Sequence, residues 1–144
     1  MTEVLCDTSV VVKWFHEPGE TELASSRAIL EAHAAGTLTA VVLDLTVYEL
    51  GNVAARSLGL PGDRVAAILD RLELICDEGL HLSPATRRDA AELAAAHRLT
   101  FYDAAYWAVA RAYDMALVTA DADLLRIGAG SSPTDFAALR GLER

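Results

Sequence analysis

Short apolar runs alternate with longer stretches in which apolar residues recur every three or four positions, along most of the chain. Glu3-Val4-Leu5-Cys6 reads as a short buried strand. Asp7-Thr8-Ser9 supplies capping residue types, and residues 9–15 predict a short helix broken by His16-Glu17-Pro18-Gly19. A helix follows over 20–35 with Gly36 as its stop, then a second strand over 38–43. Asp44 caps a helix over 45–58 closed by Gly59, and Pro61 opens another to Leu74. Leu80-His81-Leu82 is a candidate third strand, and Ser83-Pro84 starts a helix to His97. Tyr102 to Tyr113 is helical, residues 115–119 form a strand, and Asp121 opens a short helix through Arg126. Residues 128–135 read as a loop, and the pattern does not place the last ten residues. Strands alternating with helices predict an α/β layering around a parallel sheet, in one domain spanning 1–144. In such sheets a ligand site lies beyond the carboxyl ends of the strands.

That rule selects the acids worth weighing. Asp7 directly follows the first strand and Asp121 closely follows the strand ending near Thr119, so both emerge at one sheet edge. Asp103 stands inside Phe101-Tyr102-Asp103-Ala104-Ala105-Tyr106-Trp107, and Glu49 among Leu45, Val47, Leu50 and Val53. An acid in an apolar setting costs free energy unless a partner offsets it, and a cation is one such partner. Carboxylate oxygens without imidazole or thiolate select hard cations such as Mg²⁺ or Mn²⁺. Each acid also has a plainer reading. Asp7, Asp103 and Asp121 could each cap the helix that follows, and Asn52 or Arg56 could satisfy Glu49.

Composition narrows the classes. Hydrophobic residues make up 53% of 144 residues, enough for a core without disulfides. Cys6 and Cys76 form no CxxC or Cys/His cluster, which argues against zinc and suits a reducing cytoplasm. No apolar run approaches the roughly 20 residues of a membrane span, and no signal peptide opens the chain. The net charge of −9, from 12 basic and 21 acidic residues, argues against nucleic-acid binding taken alone. Bound cations would offset part of it, and an acidic protein also suits a basic partner. Arg56, Arg64, Arg71, Arg87 and Arg88 are each read first as part of a solvated helix face; under the family resemblance described next they would be candidate RNA or antitoxin contacts.

Four segments together resemble the PIN-domain family, close to VapC-type toxins of type II toxin–antitoxin pairs. They are Asp7-Thr8-Ser9-Val10-Val11-Val12-Lys13-Trp14-Phe15, Tyr48-Glu49-Leu50-Gly51-Asn52-Val53, Thr100-Phe101-Tyr102-Asp103-Ala104-Ala105-Tyr106 and Val118-Thr119-Ala120-Asp121. The resemblance runs from position 4 to about 125. It implies a three-layer α/β/α domain around a small parallel sheet and a Mg²⁺- or Mn²⁺-dependent endoribonuclease. Asp7 and Asp103 would be the principal metal ligands, with Glu49 and Asp121 completing the pocket. Ser9 and Thr119 would orient carboxylates, with Asn52 and Asp123 nearby; Asp123 competes with Asp121 for the fourth place. A cognate antitoxin, an RNA substrate and a homodimer are further implied.

Receiver-type and haloacid-dehalogenase-type enzymes also place an Asp after a first strand, but need a Lys at a later strand end. The one Lys here is Lys13, beside the first strand. Gly128-Ala129-Gly130 lacks a nucleotide-binding context and reads as a flexible turn. The four histidines show no metal-ligand spacing, and Trp14, Phe101, Tyr102, Tyr106 and Trp107 read as core. The competing functional class is a catalytically silent PIN-like module that sequesters RNA or a protein; intact acids argue against it.

Overall fold

The computed structural model of this chain describes residues 2–142. Its sheet is built on β1 (Thr2–Cys6), flanked in parallel by β2 (Leu38–Val41) and β3 (Ala116–Val118), in the order β2-β1-β3. Val4 sits opposite Ala40 on one side and Ala116 on the other. Successive β1 side chains point to opposite faces. Val4 and Cys6 therefore join one core with Leu38, Ala40, Val42 and Val118, while Leu5 joins a second with Leu43 and Leu117.

Helices cover both faces. α1 (Thr8–Phe15), α2 (Leu23–Ala34), α4 (Gly62–Cys76) and α8 (Pro133–Arg140) contribute Val10, Val11, Ile29, Leu72 and Phe136 to the first core. α5 (Pro84–His97) and α6 (Phe101–Ala112) supply Ala90, Leu93, Tyr106 and Val109 to the second. This is the three-layer α/β/α arrangement. Burying each large aliphatic side chain contributes roughly 1.5–3 kcal/mol, so two filled faces explain why such short strands hold.

The remaining elements are α3 (Asp44–Asn52) and α7 (Ala122–Arg126). The sequence expects one regular helix over 45–58, but α3 stops at Asn52 and continues as a π-helical turn, Val53–Ser57. The expected strand at 80–82 shrinks to a single parallel bridge between Leu80 and Leu43. Pro84 lacks an N–H, and the Ser83-Pro84 start of α5 turns the chain away from the edge. A matching bridge joins Ser131 to Val118 at the other side of the sheet.

The loop expected over 128–135 ends early, because Ser132 caps α8 through the Asp135 N–H at 3.1 Å with Pro133 in the first turn. Nor is Gly130 a flexible turn: a Cβ there would lie 2.7 Å from the Leu117 carbonyl oxygen. Of the last ten positions, Glu143 and Arg144 lie outside the described residues. No described helix is long and apolar enough to cross a membrane.

Candidate active site

Because all three strands run in parallel, their carboxyl ends open at one edge, where Asp7 follows β1 and Thr119 follows β3. Asp7 is 5% exposed. It occupies the N-cap position of α1, yet its side chain makes no capping bond. Instead its Oδ2 accepts from Ser9 Oγ at 2.7 Å and Thr119 Oγ1 at 2.8 Å. Ser9 Oγ in turn accepts the Ala120 N–H at 2.9 Å, and Thr119 Oγ1 accepts the Asp121 N–H at 2.9 Å. With backbone donors filling their lone pairs, both hydroxyls are left to donate to Asp7. Burial raises the Asp7 pKa; the two hydroxyl bonds and the Thr8 N–H oppose that rise, and the Glu49 charge adds to it.

Glu49 is held by a second network. Its Oε1 accepts from Thr8 Oγ1 at 2.9 Å and from the Tyr106 hydroxyl at 2.8 Å. Thr46 Oγ1 accepts the Leu43 N–H at 3.2 Å and lies 2.7 Å from the Tyr106 oxygen. The proton order is therefore Leu43 to Thr46 to Tyr106 to Glu49. Burial, then the Glu49 and Asp7 charges, push the Tyr106 phenol up, so it remains a donor. Neither expected satisfier bonds to Glu49: the Asn52 side chain is exposed and forms no hydrogen bond among the described residues, and Arg56 is exposed in the π-helical turn. The register change that begins at Val53 falls between Glu49 and Arg56, while Asn52 lies before it, on the α3 helix that carries Glu49.

Asp103 does not cap α6. Thr100 does, accepting the Asp103 N–H at 3.1 Å, and Asp103 rides the first turn, half-buried. Its carboxyl is pushed up to about 6 by burial first, then by the charges of Asp121, Asp7 and Glu49, with a Thr100 hydrogen bond opposing. The four acids thus share one electrostatic neighbourhood. Asp121 belongs to it while also capping α7 through the Leu124 N–H at 3.0 Å, so its plainer reading holds as well. Asp123 is exposed and paired with Arg126 at 3.2 Å.

The donors are all oxygen, which fits a hard divalent cation. Burial keeps the neighbouring Cys6 thiol protonated, so it offers no thiolate. Among the described residues no three acidic, histidine or cysteine side chains are drawn tightly enough to form a metal site by themselves. The acids repel one another across the pocket without closing one coordination sphere. A cation at this edge would keep water and phosphate oxygens among its ligands.

Other residues lie apart from this chemistry. Lys13 is buried and committed to Glu20 Oε2 at 3.1 Å and the Thr21 carbonyl at 2.7 Å. Of the aromatics expected in the core, Trp14 and Tyr106 are buried, but Phe101 and Tyr102 are 46% and 57% exposed. Both lie in the first turn of α6, ahead of its mostly buried stretch from Ala104 to Ala110. Thr8, Thr46 and Tyr106 are the positioning groups that the sequence left unassigned. A usable signal existed, because a core tyrosine needs a partner for its hydroxyl and Glu49 needed one too.

The same fold recurs in solved structures. PAE2754 from Pyrobaculum aerophilum is 23% identical, with 99% of this chain and 97% of that one covered at a TM-score of 0.70. A toxin–antitoxin complex from Klebsiella pneumoniae is 19% identical, covering 90% and 97%, at 0.61. FitAcB from Neisseria gonorrhoeae is 19% identical, covering 91% and 98%, at 0.59. Comparison with curated protein sequences gives no match. The family model described as PIN domain matches residues 4–130, a span that holds all four acids and the hydroxyls that orient them; this chain belongs to the PIN-domain family.

Proposed function

We propose that this protein is a divalent-metal-dependent endoribonuclease, the toxin of a type II toxin–antitoxin pair. PIN domains are generally nucleases and typically use divalent metal ions. The observation that carries the reading is the carboxyl of Asp103, pushed up to about 6 by burial and by three other acids at one sheet edge. Mutual repulsion of that kind is relieved by a cation. Bound Mg²⁺ or Mn²⁺ supplies an acidified water and neutralises charge on the phosphate.

Asp7 and Asp103 hold the cation, with Glu49 and Asp121 at the margin of the pocket. Ser9 and Thr119 fix which oxygen of Asp7 faces outward by engaging Oδ2. Thr8 and Tyr106 do the same for Glu49 by engaging Oε1. The structural likeness to a Klebsiella pneumoniae toxin–antitoxin complex supports an antitoxin partner, and the acidic pocket suits a basic side chain from it. A homodimer and a cytoplasmic location complete the proposal.

The test is cleavage of RNA by purified protein with Mg²⁺, with EDTA, and by Asp7→Asn. Cutting is expected with Mg²⁺ alone, with loss to background in the other two. Cutting that persists in EDTA, or in an Asp7→Asn variant with a wild-type circular dichroism spectrum, overturns the assignment.

A further inference from the structure

Tyr48 and Tyr102 each directly precede a pocket acid in sequence, Glu49 and Asp103. Both are strongly exposed, at 76% and 57%. They line one hollow of about 550 Å³ together with Glu49, Asn52, Leu45 and Val53. Its lining combines two phenol rings, two aliphatic side chains, an amide and an acid of the candidate site. The Asn52 amide has no hydrogen-bond partner among the described residues, leaving both donor and acceptor open. Arg87 lines an adjoining hollow that shares Leu45 and Tyr102 with the first.

We infer that this hollow is a nucleobase pocket, which takes one unpaired base of the RNA strand whose phosphate lies at the acids. The inference rests on the nuclease reading. Single-stranded RNA is recognised by splayed bases that stack on aromatic rings and offer their edges to side-chain amides. A ring face accepts any base, whereas an amide distinguishes edges. Tyr48 and Tyr102 therefore supply affinity, Asn52 supplies preference among bases, and Arg87 meets a flanking phosphate. The continuity with Glu49 selects a base over a protein surface: an occupant of this hollow borders the acid pocket directly.

The experiment measures binding of a fluorescent single-stranded RNA to Asp103→Asn protein in Mg²⁺, a background in which the strand is left uncut. In that background Tyr48→Ala and Tyr102→Ala are each expected to weaken binding roughly 5- to 150-fold, the range for loss of one base–aromatic stack. Tyr102→Phe retains affinity. A strand with an abasic site at the seated position binds the parent and Tyr102→Ala proteins equally. Sedimentation of the same variants reports oligomeric state. Unchanged RNA binding overturns the inference, as does an aromatic dependence that survives the abasic strand. Dissociation of a dimer with RNA affinity intact assigns the patch to a protein interface and also overturns it. Wild-type cleavage in Mg²⁺ is scored separately: if it persists, only the base pocket falls, and if wild type neither binds nor cuts RNA, the nuclease reading falls too.

Discussion

Tyr106 is fully buried, yet its hydroxyl reaches Glu49, Thr8 and Thr46. Tyr106→Phe keeps the ring and its packing but removes the donor, leaving the Thr46 proton without its acceptor. The expected cost is about 1–3 kcal/mol of stability, read from the midpoint of denaturant unfolding. RNA cleavage is expected to fall roughly 10- to 100-fold, the range for groups that orient metal-binding side chains. Unchanged cleavage would show that Glu49 needs no anchor beyond Thr8. Glu49 and Asp103 were visible in the sequence because a carboxylate in an apolar run is conspicuous, and Asp7 and Asp121 because each follows a strand. Their supports were not, because Thr8 and Tyr106 are ordinary at their own positions and meet Glu49 only across separations of 41 and 57 residues.

The elements that frame the site are extended by two close approaches. Gly79 and Gly130 each precede a residue that bridges to the sheet, Leu80 and Ser131. A Cβ at Gly79 would lie 2.2 Å from the Leu43 carbonyl carbon, and one at Gly130 2.7 Å from the Leu117 carbonyl oxygen. Gly130→Ala must therefore push the segment at 131 off β3, and Thr119, whose N–H donates to Ser131, moves with it. Destabilisation of about 1–3 kcal/mol is expected, with reduced RNA cleavage. Gly62→Ala, where nothing lies within 4 Å, serves as the neutral control in the same unfolding assay.

Short apolar runs made the strands β1, β2 and β3 legible along the chain, and capping residues, Gly and Pro marked most of the helices. What escaped was set by single residues or by distant neighbours. The Ser-Pro start that predicted α5 at Ser83-Pro84 also marks α8 at Ser132-Pro133, where it went unread. The false strand at 80–82 has strand-like residues but an edge that only Leu80 reaches. The π-helical turn after Asn52 leaves no mark in a pattern of apolar spacing.

For the molecule as a whole, the acid edge is a cost of folding without metal. Asp103 has its carboxyl raised from 3.8 to about 6, so the folded state binds its proton more tightly than the unfolded chain does. Its contribution is unpenalised below about pH 4, and stability falls as pH rises toward 6 and stays reduced above it. In EDTA, the Tm advantage of Asp103→Asn over wild type is expected to be small near pH 4 and to grow toward pH 7. Added Mg²⁺ should raise the wild-type Tm and narrow the gap. A gap that shrinks with rising pH would contradict this sign.

The bond from Thr119 to Asp7 spans 112 residues, and Thr119 itself is pinned through Ser131. A ribosome releases Asp7 well before Ser131, at about 5–20 residues per second. During that interval acids accumulate along the nascent chain while Asp7 still lacks its full anchor. Synthesis must therefore pass Ser131 before any copy can anchor Asp7 in this way, and a product ending before β3 lacks the Thr119 bond altogether.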